Sequence, residues 1–113
     1  MRRHQIPIFL IMAVVLAAFV GWAAFRAIRP EPHRVTLHWN PSKSTAGVTV
    51  NGYNVYRSTT KGGPYVKLAP LVTDPTYTDW LVSSGRTYYY VVTALDSAAN
   101  ESNYSNEAVA AVP

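Results

Sequence analysis

The sequence contains no cysteine. Disulfides, thiolate nucleophiles, cysteine-based zinc sites and lipid attachment through a thiol are therefore excluded, and any folded part must be held by its core alone. Histidine is scarce: His4, His33 and His38 are the only three. They are scattered over the N-terminal segment, a proline-rich stretch and an alternating strand, so they do not converge as metal ligands must. Asp74 and Asp79 lie five apart across a turn and a strand. That spacing does not put both carboxylates on one strand face, so it gives no support to paired-carboxylate catalysis. Gly62-Gly63 lacks the spacing and the following helix of a phosphate loop and reads as a turn. Residues 96–101 lack the alternating ligands and the glycine of a calcium loop. No catalytic residue, metal site or cofactor is expected.

The chain also lacks a basic patch where a nucleic acid would need one. Its formal net charge is +4, but that excess lies in the first 34 residues, where Arg2, Arg3, Arg26, Arg29 and Arg34 face only Glu31. Beyond them the five bases Lys43, Arg57, Lys61, Lys67 and Arg86 balance Asp74, Asp79, Asp96, Glu101 and Glu107. A nucleic-acid partner is therefore not expected. The leading basic residues are placed to meet lipid headgroups instead.

What is present falls into two parts. Residues 6–25 carry no charge. As a helix at about 1.5 Å per residue the run would be about 30 Å long, the thickness of a bilayer's hydrocarbon core. It is apolar on every face, which does not suit a core helix of so small a protein. Trp22 and the flanking arginines suit the headgroup region. The expectation is a short basic tail (1–5), a transmembrane helix or signal anchor contacting membrane lipid (6–25) and a proline-rich stalk (26–34). Pro30 and Pro32 end any helix there. Gly21-Trp22-Ala23 offers a cleavage site, which leaves secretion open as the alternative to a single-pass anchor with the domain outside the cytoplasm.

From Val35 the period changes to two. Val35, Leu37 and Trp39 alternate with Thr36 and His38, the pattern of a strand with one buried face. Further strands are expected at 48–57, 65–68, 77–82 and 87–95, and a last one at about 106–112. They are separated by Asn40-Pro41-Ser42, Lys61-Gly62-Gly63-Pro64, Asp74-Pro75 and Ser84-Gly85. In the strongest strand Tyr88, Tyr90, Val92 and Ala94 share one face, and Tyr89, Val91 and Thr93 the other. Short strands at steady spacing with no helical pattern between them predict an all-β sandwich or small barrel over 35–113.

The residues from 33 to 113 resemble a fibronectin type III domain. Val35-Thr36-Leu37-His38-Trp39-Asn40-Pro41 is similar to that family's second strand, with Trp39 as the core tryptophan. Gly52-Tyr53-Asn54-Val55-Tyr56-Arg57 is similar to its third. Residues 82–94 resemble the corner and strand in which Tyr88 takes the corner tyrosine's place, and residues 101–107 resemble the approach to the last strand. Val82 and Ser84 depart from the usual leucine and proline, and the first strand is abbreviated. The resemblance implies an immunoglobulin-like two-sheet sandwich of about seven strands. Trp39, Tyr53, Tyr88, Tyr90 and Val92 would then be structural.

The same resemblance implies a non-catalytic interaction or adhesion module, which the run at 6–25 would hold at a membrane outside the cytoplasm. The alternative is a secreted carbohydrate-binding or scaffold module. Its ligand would be a protein or a carbohydrate. All eight tyrosines lie in the domain. Tyr53, Tyr88 and Tyr90 belong to the core; Tyr56, Tyr89 and Tyr104, together with Trp80, are the candidates for ligand contact, because aromatic rings stack on sugars and anchor protein partners.

Overall fold

Val35, Leu37 and Trp39 are buried in β2 (Arg34–Trp39), while His38 between them is exposed. A computed structural model of the chain describes residues 11–16, 32–42 and 48–113. Five further strands follow β2: β3 (Val50–Ser58), β4 (Val66–Val72), β5 (Thr76–Asp79), β6 (Thr87–Asp96) and β7 (Ala108–Ala111). One strand precedes it, β1 (Ile11–Leu16). They form two antiparallel sheets, ordered β1-β2-β5 and β4-β3-β6-β7.

The core lies between the sheets. Strand β2 contributes Val35, Leu37 and Trp39, β3 contributes Tyr53 and Val55, and β6 contributes Tyr88, Tyr90, Val92 and Ala94. Ala108, Ala110 and Val112 close it. Every one of these is at Val35 or later. Trp39 meets Tyr53 edge to face with ring centroids 5.4 Å apart, a preferred aromatic geometry. The Tyr53 hydroxyl accepts the Ser42 N–H at 2.9 Å, so its polar end is satisfied inside the sandwich. Gly85, at φ 77°, makes the turn into β6, a conformation that glycine adopts without a Cβ clash. The Tyr88 hydroxyl accepts the Ser83 N–H across that corner at 2.9 Å.

Several elements differ from their expected bounds. Strand β4 runs through Pro70 to Val72 rather than ending at Leu68. It is an edge strand, where a missing N–H breaks no ladder. The Asn54 side-chain oxygen accepts the Leu71 N–H at 3.1 Å and helps hold the irregular stretch against β3. Strand β5 stops at Asp79 rather than Val82, because the Asp79 carboxylate accepts the Leu81 N–H at 3.0 Å and turns the chain.

Of the uncharged run 6–25, expected as a helix, the described part is a strand. Residues 11–16 pair with β2 from Ile11 opposite Trp39 to Leu16 opposite Arg34. The stretch is rich in β-branched and apolar residues, and β2 has a free edge on that side to receive it. Residues 6–10 and 17–25, and with them the spanning helix as a whole, lie outside the described residues. So do the basic tail and most of the stalk. Among the described residues no helix is long and apolar enough to cross a membrane.

Candidate binding surface

Period two sends Tyr53 and Val55 of β3 inward and Asn54 and Tyr56 to the outer face of the four-stranded sheet. Opposite Tyr56, Val91 lies on the same outer face of β6, with Thr93 two residues on. Both are buried, at 2% and 0% exposure. The connection from β6 to β7 folds back along β6. The Ser102 and Ser105 N–H groups donate to the Ala94 and Val92 carbonyls at 2.8 Å each. Their hydroxyls accept the N–H of Ala94 and Val92 in return. This return carries Glu101 and Tyr104 over the sheet.

Glu101 is the pin of the surface. Its Oε2 accepts the Tyr56 hydroxyl, the Thr93 hydroxyl at 2.6 Å and the Asn54 amide at 3.1 Å. A second carboxylate repeats the device: Glu107 Oε2 accepts the Tyr65 hydroxyl and the Gly62 N–H, the latter at 2.8 Å. Tyr65 is thereby drawn in from the turn before β4. Tyr104 meets both tyrosines. Its ring centroid is 5.3 Å from that of Tyr56 and 5.2 Å from that of Tyr65, with interplanar angles of 70° and 69°. The Lys67 ammonium lies 5.8 Å from the Tyr56 ring centre. Tyr104 is the open member, 51% exposed.

The ionisation states follow from these contacts. Burial, and then donation to Glu101, pushes the Tyr56 phenol up to about 12. Burial and donation to Glu107 take Tyr65 to about 12 as well. Burial alone would raise Glu101. The hydrogen bonds from Thr93, Tyr56 and Asn54 outweigh it and hold the carboxyl below its ordinary value. The Tyr65 hydroxyl and the Gly62 N–H do the same for Glu107. Two carboxylates held ionised, donated to by two phenols held neutral, supply neither a general acid near neutral pH nor an activated nucleophile. The arrangement can bind.

Of the four aromatics expected to contact a ligand, the fold brings together Tyr56 and Tyr104. Tyr56 is not open as expected. It is only 9% exposed, because Tyr104 and Lys67 cover it, and it serves as the floor. Tyr89 lies on the same sheet face, half-buried opposite Val109 and Ser58, and makes none of these ring contacts. Trp80 stands apart at the end of β5, 52% exposed, with the Arg34 guanidinium 5.0 Å from its ring centre. Tyr65 was not among the candidates, since nothing in its spacing links it to residue 104. Trp39, Tyr53, Tyr88, Tyr90 and Val92 all lie in the core. Among the described residues no three histidine, aspartate or glutamate side chains are grouped as metal ligands.

No protein-family model matches the sequence. The chain is similar over 55 residues, at 58% identity, to amylopullulanase of Thermoanaerobacter thermohydrosulfuricus, an alignment covering 49% of this chain and 4% of that enzyme. It is 38% identical over 80 residues to exoglucanase B of Cellulomonas fimi, covering 71% of this chain and 7% of the enzyme. The chain spans 4–9% of the length of the curated relatives it matches. Among solved structures it is similar to a Fn3-like protein from Clostridium thermocellum. That match has 30% identity and a TM-score of 0.66, over 97% of this chain and 96% of that one. It also shares its fold with human cardiac titin module A71, at 18% identity and a TM-score of 0.68, over 93% of this chain and 88% of that one.

Proposed function

Because the chain belongs to the fibronectin type III family, we propose that it is a non-catalytic accessory module whose contact surface is the outer face bearing Tyr56, Tyr65 and Tyr104. One observation carries the reading. Sequence relatives of the domain are small parts of enzymes named amylopullulanase, exoglucanase and chitinase, and the shared part is this sandwich. A module that travels with such enzymes and shows no acid–base pair among its described residues serves them by contact or by spacing. On this chain the contact is proposed to be with carbohydrate. The uncharged run at 6–25 is proposed to deliver the domain across a membrane or to hold it there, outside the cytoplasm. In that role Ile11–Leu16 leaves the edge of β2.

The test is to incubate the full chain with immobilised starch, cellulose and chitin and with an array of proteins, measuring both retention and released reducing ends. Retention by a carbohydrate without release of reducing ends is expected. Release of reducing ends by homogeneous protein would make the domain an enzyme and overturn the reading.

A further inference from the structure

We propose that the Tyr104 face binds a neutral, conformationally free glucan chain and not the flat face of a crystalline polysaccharide. This rests on the contact-module reading and names its ligand. Three features of the face lead to it.

The first is ring geometry. Tyr104 crosses Tyr56 at 70° and Tyr65 at 69°. Tyr104 shares a plane with neither neighbour, so a flat crystal face laid on Tyr104 stacks on neither of the other two. A single flexible chain can bend its sugars from the Tyr104 ring to that of half-buried Tyr65, with Tyr56 as the covered floor beneath.

The second is rigidity. The hydroxyls of Tyr56 and Tyr65 are tied to Glu101 and Glu107. Rings fixed before binding lose little conformational entropy on contact, which favours stacking on a weakly bound sugar.

The third is charge and remaining hydrogen-bond capacity. All the side-chain hydrogen bonds of Glu101 and Glu107 fall on Oε2. Among the described residues Oε1 of each accepts none, so two acceptor atoms remain for sugar hydroxyls. The face sets these two carboxylates against two ammoniums, Lys67 beside Tyr56 and Glu101 and Lys61 beside Glu107. Such a balanced face offers a polyanion no attracting field and accepts an uncharged polyol.

The full chain in mild detergent, run on native gels containing soluble starch, should be retarded relative to gels without it. Tyr104→Ala removes a half-exposed ring outside the core and should weaken that retardation about tenfold or more, the loss expected of an anchor residue. Trp80→Ala, on the remote aromatic, should leave it unchanged. Microcrystalline cellulose should retain little protein, and any slowing by heparin, which the arginines of the first 34 residues can cause, should be the same for wild type and Tyr104→Ala. Equal mobility with and without starch would overturn the proposal, as would stronger retention on the crystalline powder or a heparin retardation that Tyr104→Ala relieves. A protein-array partner lost in Tyr104→Ala, with no response to starch, would also overturn it while leaving the contact-module reading intact.

Discussion

Arg57 Nη1 lies 2.9 Å from Asp79 Oδ2, joining β3 of one sheet to β5 of the other where Asp79 is only 2% exposed. The same carboxylate oxygen accepts the Tyr90 hydroxyl at 2.7 Å, and the Arg57 guanidinium also donates to the Leu81 carbonyl at 3.0 Å. Burial, followed by donation to Asp79, raises the Tyr90 phenol well above its ordinary range. The charge is inside the sandwich, but it has partners on several sides, which is the condition for tolerating it there.

Removing that carboxylate leaves Arg57 and Tyr90 without their acceptor. Asp79→Ala should cost about 3–5 kcal/mol, as for one partner lost from a buried pair. Tyr90→Phe should cost about 1–3 kcal/mol. The double variant should lose less than the sum, because both changes break one hydrogen bond. Urea titration of the three proteins checks this. Strict additivity would mean that Tyr90 and Asp79 are not coupled.

Tyr88 and Tyr89 are neighbours with opposite duties. Tyr88→Phe strips an acceptor from the Ser83 N–H and should destabilise by about 1–3 kcal/mol. Tyr89 has a half-buried ring on the outer face, and Tyr89→Phe should stay within about 0.5 kcal/mol of wild type. Chemical denaturation distinguishes them. Equal losses would contradict the register of β6.

The pH dependence follows from the tyrosine–glutamate pairs. Glu101 and Glu107 titrate below their ordinary 4.5 when folded. Their contribution is present above that value and is lost as pH falls through the lower folded values. Tyr56 and Tyr65 move from 10.0 to about 12, so their contribution is complete below pH 10 and is lost between 10 and 12. The urea midpoint should therefore hold from about pH 5 to pH 10 and fall on either side. Glu101→Gln should shrink the acid limb. A midpoint that rises below pH 4 would contradict the assignment.

Every core residue named lies at Val35 or later. A chain of residues 31–113 should remain a folded β domain by circular dichroism, free in solution. The full chain should sediment with membranes after alkaline extraction if 6–25 spans the bilayer. A disordered spectrum for residues 31–113 would mean that β1 is required for the fold.

The core was legible because burial on one sheet face imposes period two. Val35, Leu37 and Trp39 declare an inner face, and so do Tyr88, Tyr90, Val92 and Ala94. The Asp79 bridge left a weaker trace: a charged residue at the inward position after Tyr77, which only a partner reaching across from the other sheet explains. The outer face was legible in part. Tyr56 and Tyr104 stood out as surplus aromatics, but Tyr65 joins them through Glu107, 42 residues away. Contacts made by a returning loop have no period to read. The strand end at Asp79 was hidden for a similar reason, since a local side-chain hydrogen bond overrides a run of strand-forming residues.

Calorimetry reads at once whether the Tyr104 face binds sugar and whether it does chemistry on it. A gluco-oligosaccharide titrated into the full chain should give saturable heats that return to baseline after each injection, and Tyr104→Ala should weaken the binding about tenfold or more. Heat that persists for as long as substrate remains would reveal turnover, and undiminished binding in Tyr104→Ala would place the site elsewhere. Either result would contradict the account.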